Sequence, residues 1–177
     1  MLPDTLIRRG ATAASLTLAA VVVATIAAIA WPNLANAVGV TPTPPAAVYP
    51  VGSTVDTPAA WHEGSPFTLI LVAQASCGAC QKAAPFLREL IAGLDGRARV
   101  VMAAPGLQRE YDLRYGRDLG LPDGAIQVKP RGTRARVTPT LVVVNRRGEV
   151  LVSWEGIGPA DQHEALMAAI DAVVPEQ

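Results

Sequence analysis

Phe67-Thr68-Leu69-Ile70-Leu71-Val72-Ala73-Gln74-Ala75-Ser76-Cys77-Gly78-Ala79-Cys80 decides the reading of this chain. Its first seven residues form an apolar run of strand length, and Gln81 to Leu94 beyond it read as a helix. Cys77 and Cys80 are the only cysteines in 177 residues. Two cysteines scattered at random would fall at this spacing roughly once in ninety arrangements, whereas redox dithiols use it routinely. The pair stands where a strand hands over to a helix. There the unsatisfied amide N–H groups and the positive end of the helix dipole favour thiolate over thiol, the species that attacks disulfides. Cys77, one turn earlier, is the natural nucleophile and Cys80 the resolving thiol.

Other uses of two cysteines are weaker on the residues. Closing so short a loop removes little chain entropy, which makes a poor structural staple. Zinc normally takes four protein ligands, and the only histidines are His62, in an expected loop, and His163, in the last expected helix. A metal-binding or metallochaperone module using the two thiolates stays open as the alternative, with His163 as its one candidate third ligand. A peroxidatic cysteine would need a Pro/Thr-rich loop and an arginine partner, and neither cysteine has that setting.

Fifteen Lys and Arg balance fifteen Asp and Glu, so no overall field argues for nucleic acid as a partner. The N-terminus is more informative. Residues 1–9 carry Arg8 and Arg9 as a cytoplasmic n-region, and residues 10–30 are apolar or small with only Thr and Ser as polar interruptions. About 21 residues at roughly 1.5 Å each span a bilayer core. The segment reads as a membrane anchor, or as a signal cleaved after Ala37, since Ala35-Asn36-Ala37 has the small-x-small pattern. In either case the positive-inside bias sends the rest of the chain to the periplasmic or extracytoplasmic side. Residues 31–50 form a Pro-rich, semi-rigid spacer, and residues 51–177 form the folded domain.

Within that domain, Ala98 to Ala104 reads as a second buried strand. Gln108 to Leu119 reads as a helix with Tyr111, Tyr115 and Leu119 at helical spacing. Pro139 to Val144, the turn Asn145 to Gly148, and Glu149 to Trp154 read as a hairpin. A final amphipathic helix begins near Pro159, with Leu166, Ala169, Ile170 and Val173 on one face. The order β, α, β, α, β, β, α implies an α/β domain with a central mixed sheet covered on both faces.

Cys77-Gly78-Ala79-Cys80, Pro85 five residues beyond it, and Thr138-Pro139-Thr140 opening the hairpin together resemble the thioredoxin superfamily over about Val51 to Val174. Pro85 matches the proline that kinks the family's active-site helix, and Pro139 matches its cis-proline beside the dithiol. The long segment before Pro139 and the N-terminal anchor are similar to the membrane-anchored, periplasmic TlpA-like and ResA-like thiol-disulfide oxidoreductases. The resemblance implies a thioredoxin-like fold, a redox-active Cys77–Cys80 disulfide, and Cys77, Cys80 and Pro139 as catalytic residues. It places substrate contacts at Ser76, Gly78, Ala79 and Thr138, whose backbone pairs with an extended client segment. It further implies protein thiol and disulfide clients, a membrane electron donor, action as a reductant, and no cofactor or metal.

The sequence departs from the family at three places. Ser76 replaces a tryptophan, the dipeptide is Gly-Ala, and Leu71 stands where a buried aspartate serves proton transfer. Glu155 is the one other candidate carboxylate for that role. Lys129, Arg131, Arg134 and Arg136 form either an electrostatic collar near the thiols or a solvated loop.

Overall fold

A computed structural model of the chain describes residues 49–106, 108–130, 133–158 and 160–176. The n-region, the anchor or signal segment and all but the end of the spacer lie outside the described residues. Among the described residues no helix is long and apolar enough to cross a membrane.

The chain runs β1 (Phe67–Val72), α1 (Gly78–Gly93), β2 (Arg99–Ala104), α2 (Arg109–Asp118), β3 (Ile126–Val128), β4 (Thr140–Asn145), β5 (Val150–Glu155) and α3 (Ala160–Asp171). The expected order thus gains one element, the three-residue strand β3. The five strands form one mixed sheet in the order β3-β2-β1-β4-β5. β1 lies parallel to β2 and antiparallel to β4, β2 lies parallel to β3, and the hairpin adds β5 antiparallel at the far edge. Central β1 is buried on both sides, which is why Phe67 to Val72 reads as an unbroken apolar run instead of an alternating one.

Alternation sorts the strand residues onto two cores. Leu69, Leu71, Met102, Leu141 and Val143 face the buried sides of α1, α2 and α3, including Leu87, Leu90, Tyr115, Leu119, Leu166 and Ile170. Ile70, Val72, Val101, Val142 and Val144 face the other way, under Tyr49, Val55 and Trp61. Both faces are covered, one by helices and the other by the irregular segment from Tyr49 to a 3-10 turn at Ala59–Trp61. Tyr49 belongs to the stretch read as spacer, yet it is 3% exposed and its hydroxyl accepts the Arg134 N–H.

A bulge links the two cores in β5. Val143 pairs with Val152 and Val144 with Val150, leaving Leu151 as the extra residue. Val150 and Val152 therefore serve opposite faces although they are two apart in sequence, which a regular strand forbids. On the opposite side of the sheet, α2 lies so close to β3 that a Cβ on Gly116 would come 2.5 Å from the Ile126 side chain. Any larger residue there would force the Ile126 and Met102 side chains to shift. The α2 stripe is rotated from the one expected: Asp112, Tyr115, Gly116 and Leu119 point inward, and Tyr111 is 61% exposed.

Candidate active site

α1 begins where β1 delivers it. Cys77 occupies the N-cap, the position usually held by Ser, Thr, Asp or Asn, and its sulfur accepts the Cys80 N–H at 3.1 Å. The helix buries Cys80, Ala83, Ala84, Leu87, Leu90 and Ile91 at the spacing of an amphipathic face. Pro85 lies inside it. A proline there offers no N–H to the carbonyl of Gln81 and weakens the first turn.

Both cysteines are free thiols, Cys77 half-buried and Cys80 0% exposed. The Cys77 thiol donates to the Thr138 carbonyl at 3.3 Å, and the Thr138-Pro139 peptide is cis. The fold thus brings Cys77, Cys80, Thr138 and Pro139 together across 61 residues of sequence. Ser76, Gly78 and Ala79 form the exposed rim around Cys77, while Pro139 is buried and Thr138 half-buried behind it.

The two thiols ionise differently. Burial pushes Cys77 up, but hydrogen bonds from the Cys80 and Thr138 side chains and the Cys80 and Ala79 amides outweigh it and hold the thiol below its ordinary value. Burial, reinforced by the hydrogen bond and charge of Cys77, pushes Cys80 up to about 12. The pair is an acidic, accessible sulfur over an inaccessible one that keeps its proton.

Several sequence expectations move. Leu71, 0% exposed, is core. Glu155 is exposed at the end of β5, opposite Thr140, and does not figure among the main influences on Cys80. Arg134 is bound to Asp56 at 3.0 Å, and hydrogen bonds set the acidity of Cys77; Arg131 lies outside the described residues. His163 stacks on Phe86 of α1 with ring centroids 4.0 Å apart. His62 is buried, its Nδ1 3.1 Å from the Arg146 carbonyl. Among the described residues no group of three or more His, Cys, Asp or Glu side chains is arranged to hold a metal.

Three side chains around the dithiol are not among the site residues expected from the sequence, although Tyr115 was expected on the inner face of its helix. Asp112 Oδ1 accepts the Ala75 N–H, Gln81 Nε2 donates to the Ala75 carbonyl, and Tyr115 Oη donates to the Cys80 carbonyl, each at 2.8 Å. The available signal for the α2 pair was periodicity, since Asp112, Tyr115 and Leu119 follow one another at helical spacing.

Sequence comparison alone finds no match, either to a family model or among curated proteins. Solved structures do match. A DsbF homologue from Corynebacterium diphtheriae aligns with a TM-score of 0.55 at 14% identity, over 75% of this chain and 96% of that one. A secreted Mycobacterium tuberculosis disulfide oxidoreductase, homologous to E. coli DsbE, aligns at 0.52 and 14%, over 69% and 96%. A thioredoxin-like protein in its oxidized form gives 0.52 and 16%, over 70% and 93%. At such identities the likeness defines architecture. The fold is thioredoxin-like, as the sequence resemblance implied.

Proposed function

We propose that this chain is an extracytoplasmic thiol-disulfide oxidoreductase that exchanges disulfides with protein clients through Cys77 and Cys80. The observation that carries the reading is the asymmetry of the two sulfurs: Cys77 is reachable, capped by an amide and acidic, while Cys80 lies buried one turn behind it. The matched solved structures, among them disulfide oxidoreductases, support it by fold.

In the reductive direction the Cys77 thiolate attacks one sulfur of a client disulfide, forming a mixed disulfide and expelling the other client sulfur as thiolate. Cys80 then loses its proton and attacks the Cys77 sulfur, forming the Cys77–Cys80 disulfide and releasing the second client thiolate. The client gains two electrons and, once both thiolates are protonated, two protons. The sulfurs carry the electrons, so no organic cofactor enters. The exposed rim of Ser76, Gly78 and Ala79 and the Thr138 backbone receive the client segment.

The N-terminal segment 10–30 holds the domain at the membrane, and a membrane electron donor returns the pair to the dithiol. The protein acts as a reductant with a potential above roughly −270 mV and below roughly −120 mV, because the bonds that stabilise the Cys77 thiolate make the pair milder than thioredoxin. Equilibration with glutathione buffers measures this, and a value at the oxidising end recasts the protein as a disulfide donor. Trapping with Cys80→Ser tests the function itself. A client complex released by dithiothreitol is expected; absence of any exchange by the wild-type chain, with stoichiometric copper binding by the reduced thiols, would overturn it in favour of metal delivery.

A further inference from the structure

Asp112 is the only carboxylate buried among the described residues, at 1% exposure. Oδ1 accepts the Ala75 N–H at 2.8 Å, but Oδ2, equally buried, has no hydrogen-bond partner. A Cβ on Gly106 would come 2.8 Å from Oδ2 and 3.1 Å from Gln74 Oε1, so the backbone passes tightly over both oxygens. Burying a carboxylate with one oxygen unpaired is unfavourable, and an amide side chain could make the same bond to Ala75 without a charge. The fold carries this cost at a residue that grips the dithiol loop.

One turn along the same face of α2, Tyr115 is buried with its hydroxyl on the Cys80 carbonyl. The two contacts straddle Cys77, one on the second residue before it and the other on the end of the first helical turn. Gln81 adds a third by holding the Ala75 carbonyl. Ala75 lies outside both β1 and α1, so neither strand nor helix hydrogen bonding fixes it. Side chains from two helices do. The Cys80 carbonyl precedes the one that Pro85 leaves without an amide, at the weakest part of the helix.

We propose that Asp112 and Tyr115 are positioning residues for thiol-disulfide exchange, with α2 holding the dithiol loop on both sides of Cys77 so that its sulfur stays on the end of α1 and beside Thr138. The inference rests on the oxidoreductase reading above. With the Ala75 tether gone, Cys77 swings off the helix end. It then loses the amides that stabilise its thiolate and its alignment for in-line attack.

The test compares Asp112→Ala, Asp112→Asn and Tyr115→Phe in the full chain. The readouts are reduction of insulin, reduction of a small aromatic disulfide, the pH midpoint of Cys77 alkylation, and thermal unfolding as the control for folding. Asp112→Ala is expected to slow both exchanges by roughly ten- to a hundredfold and to raise the Cys77 midpoint at temperatures where the protein is folded. Asp112→Asn keeps an acceptor for Ala75 and is expected to exchange within about twofold of wild type with undiminished stability. Tyr115→Phe moves rate and midpoint in the same direction as Asp112→Ala, by less. A folded Asp112→Ala protein with wild-type rate and midpoint overturns the proposal, as does an Asp112→Asn protein as slow as Asp112→Ala. If Asp112→Ala does not fold, Tyr115→Phe decides, and an unchanged midpoint and rate there also overturn it. Failure of the wild-type chain to exchange any disulfide strikes the oxidoreductase reading instead.

Discussion

Cys77 and Cys80 sit one helical turn apart at the same helix end, yet they are opposite in chemistry. Burial raises the pKa of both. Cys77 occupies the N-cap and collects donors from Cys80, Thr138 and the helix amides, so it falls below its ordinary value. Cys80 is in the helix body, where its backbone amide serves Cys77 and its thiol is enclosed by core. A three-residue step along one helix end is therefore enough to separate the two thiols in the way the proposed roles of attacker and resolver require: hydrogen-bond donors outweigh burial at Cys77, and burial prevails at Cys80.

The largest way to break this contrast is to remove either sulfur. Cys77→Ser is expected to abolish capture of clients, whereas Cys80→Ser captures them and cannot release them; equal capture by both variants, read on non-reducing gels, would erase the division of labour. Next in size is reactivity. With Cys77 below the free-thiol value of about 8.5 and Cys80 raised to about 12, ionisation alone should favour alkylation of Cys77 at neutral pH by roughly a hundredfold, and the burial of Cys80 widens the margin. Peptide mapping after brief iodoacetamide treatment checks it.

A smaller effect appears in the stability of the reduced protein. For Cys77 the folded pKa is lowered, so the unfolded state binds more protons between that value and about 8.5, and stability rises with pH through this window. For Cys80 the folded pKa is about 12; between about 8.5 and 12 the unfolded state binds fewer protons, and stability falls as pH climbs. Denaturant midpoints should peak near pH 8.5, and a Cys77→Ser, Cys80→Ser double variant should lose that peak. Smallest is Thr138→Val, which removes a side chain that lowers both thiols. Both alkylation midpoints should rise while their order stays the same; an unmoved Cys77 would show that its acidity comes from the helix end alone.

What the sequence disclosed and what it hid divide along physical lines. Phe67 to Ala73, Ala98 to Ala104 and the hairpin around Asn145 to Gly148 are legible because their apolar runs and turn residues are local signals. In the hairpin turn, Asn145 Oδ1 accepts the Arg147 and Glu149 amides. β3 has three residues, Ile126 to Val128, too few to show a period. Tyr49 hid among prolines, since a spacer residue and a core residue look alike until Arg134 arrives beside it. The dithiol was plain from spacing, but its braces were not. A charged residue in a polar helix reads as solvent-facing, whereas Asp112 is buried with its Oδ1 on the amide of Ala75, 37 residues away.

Tyr49 and Arg134 lie 85 residues apart in sequence, and this separation governs the order in which the domain can be completed. Synthesis runs from the N-terminus, so Tyr49 has no Arg134 and Cys77 no Thr138 until most of the domain has emerged. β1, at the centre of the sheet, likewise waits for β4. Until that last stretch appears, Cys77 lacks the Thr138 carbonyl that its thiol meets in the finished domain. Long loops must close before their contacts form, so the same late segment that seals the second core also gives the dithiol its wall, and structural completion and chemical competence come together.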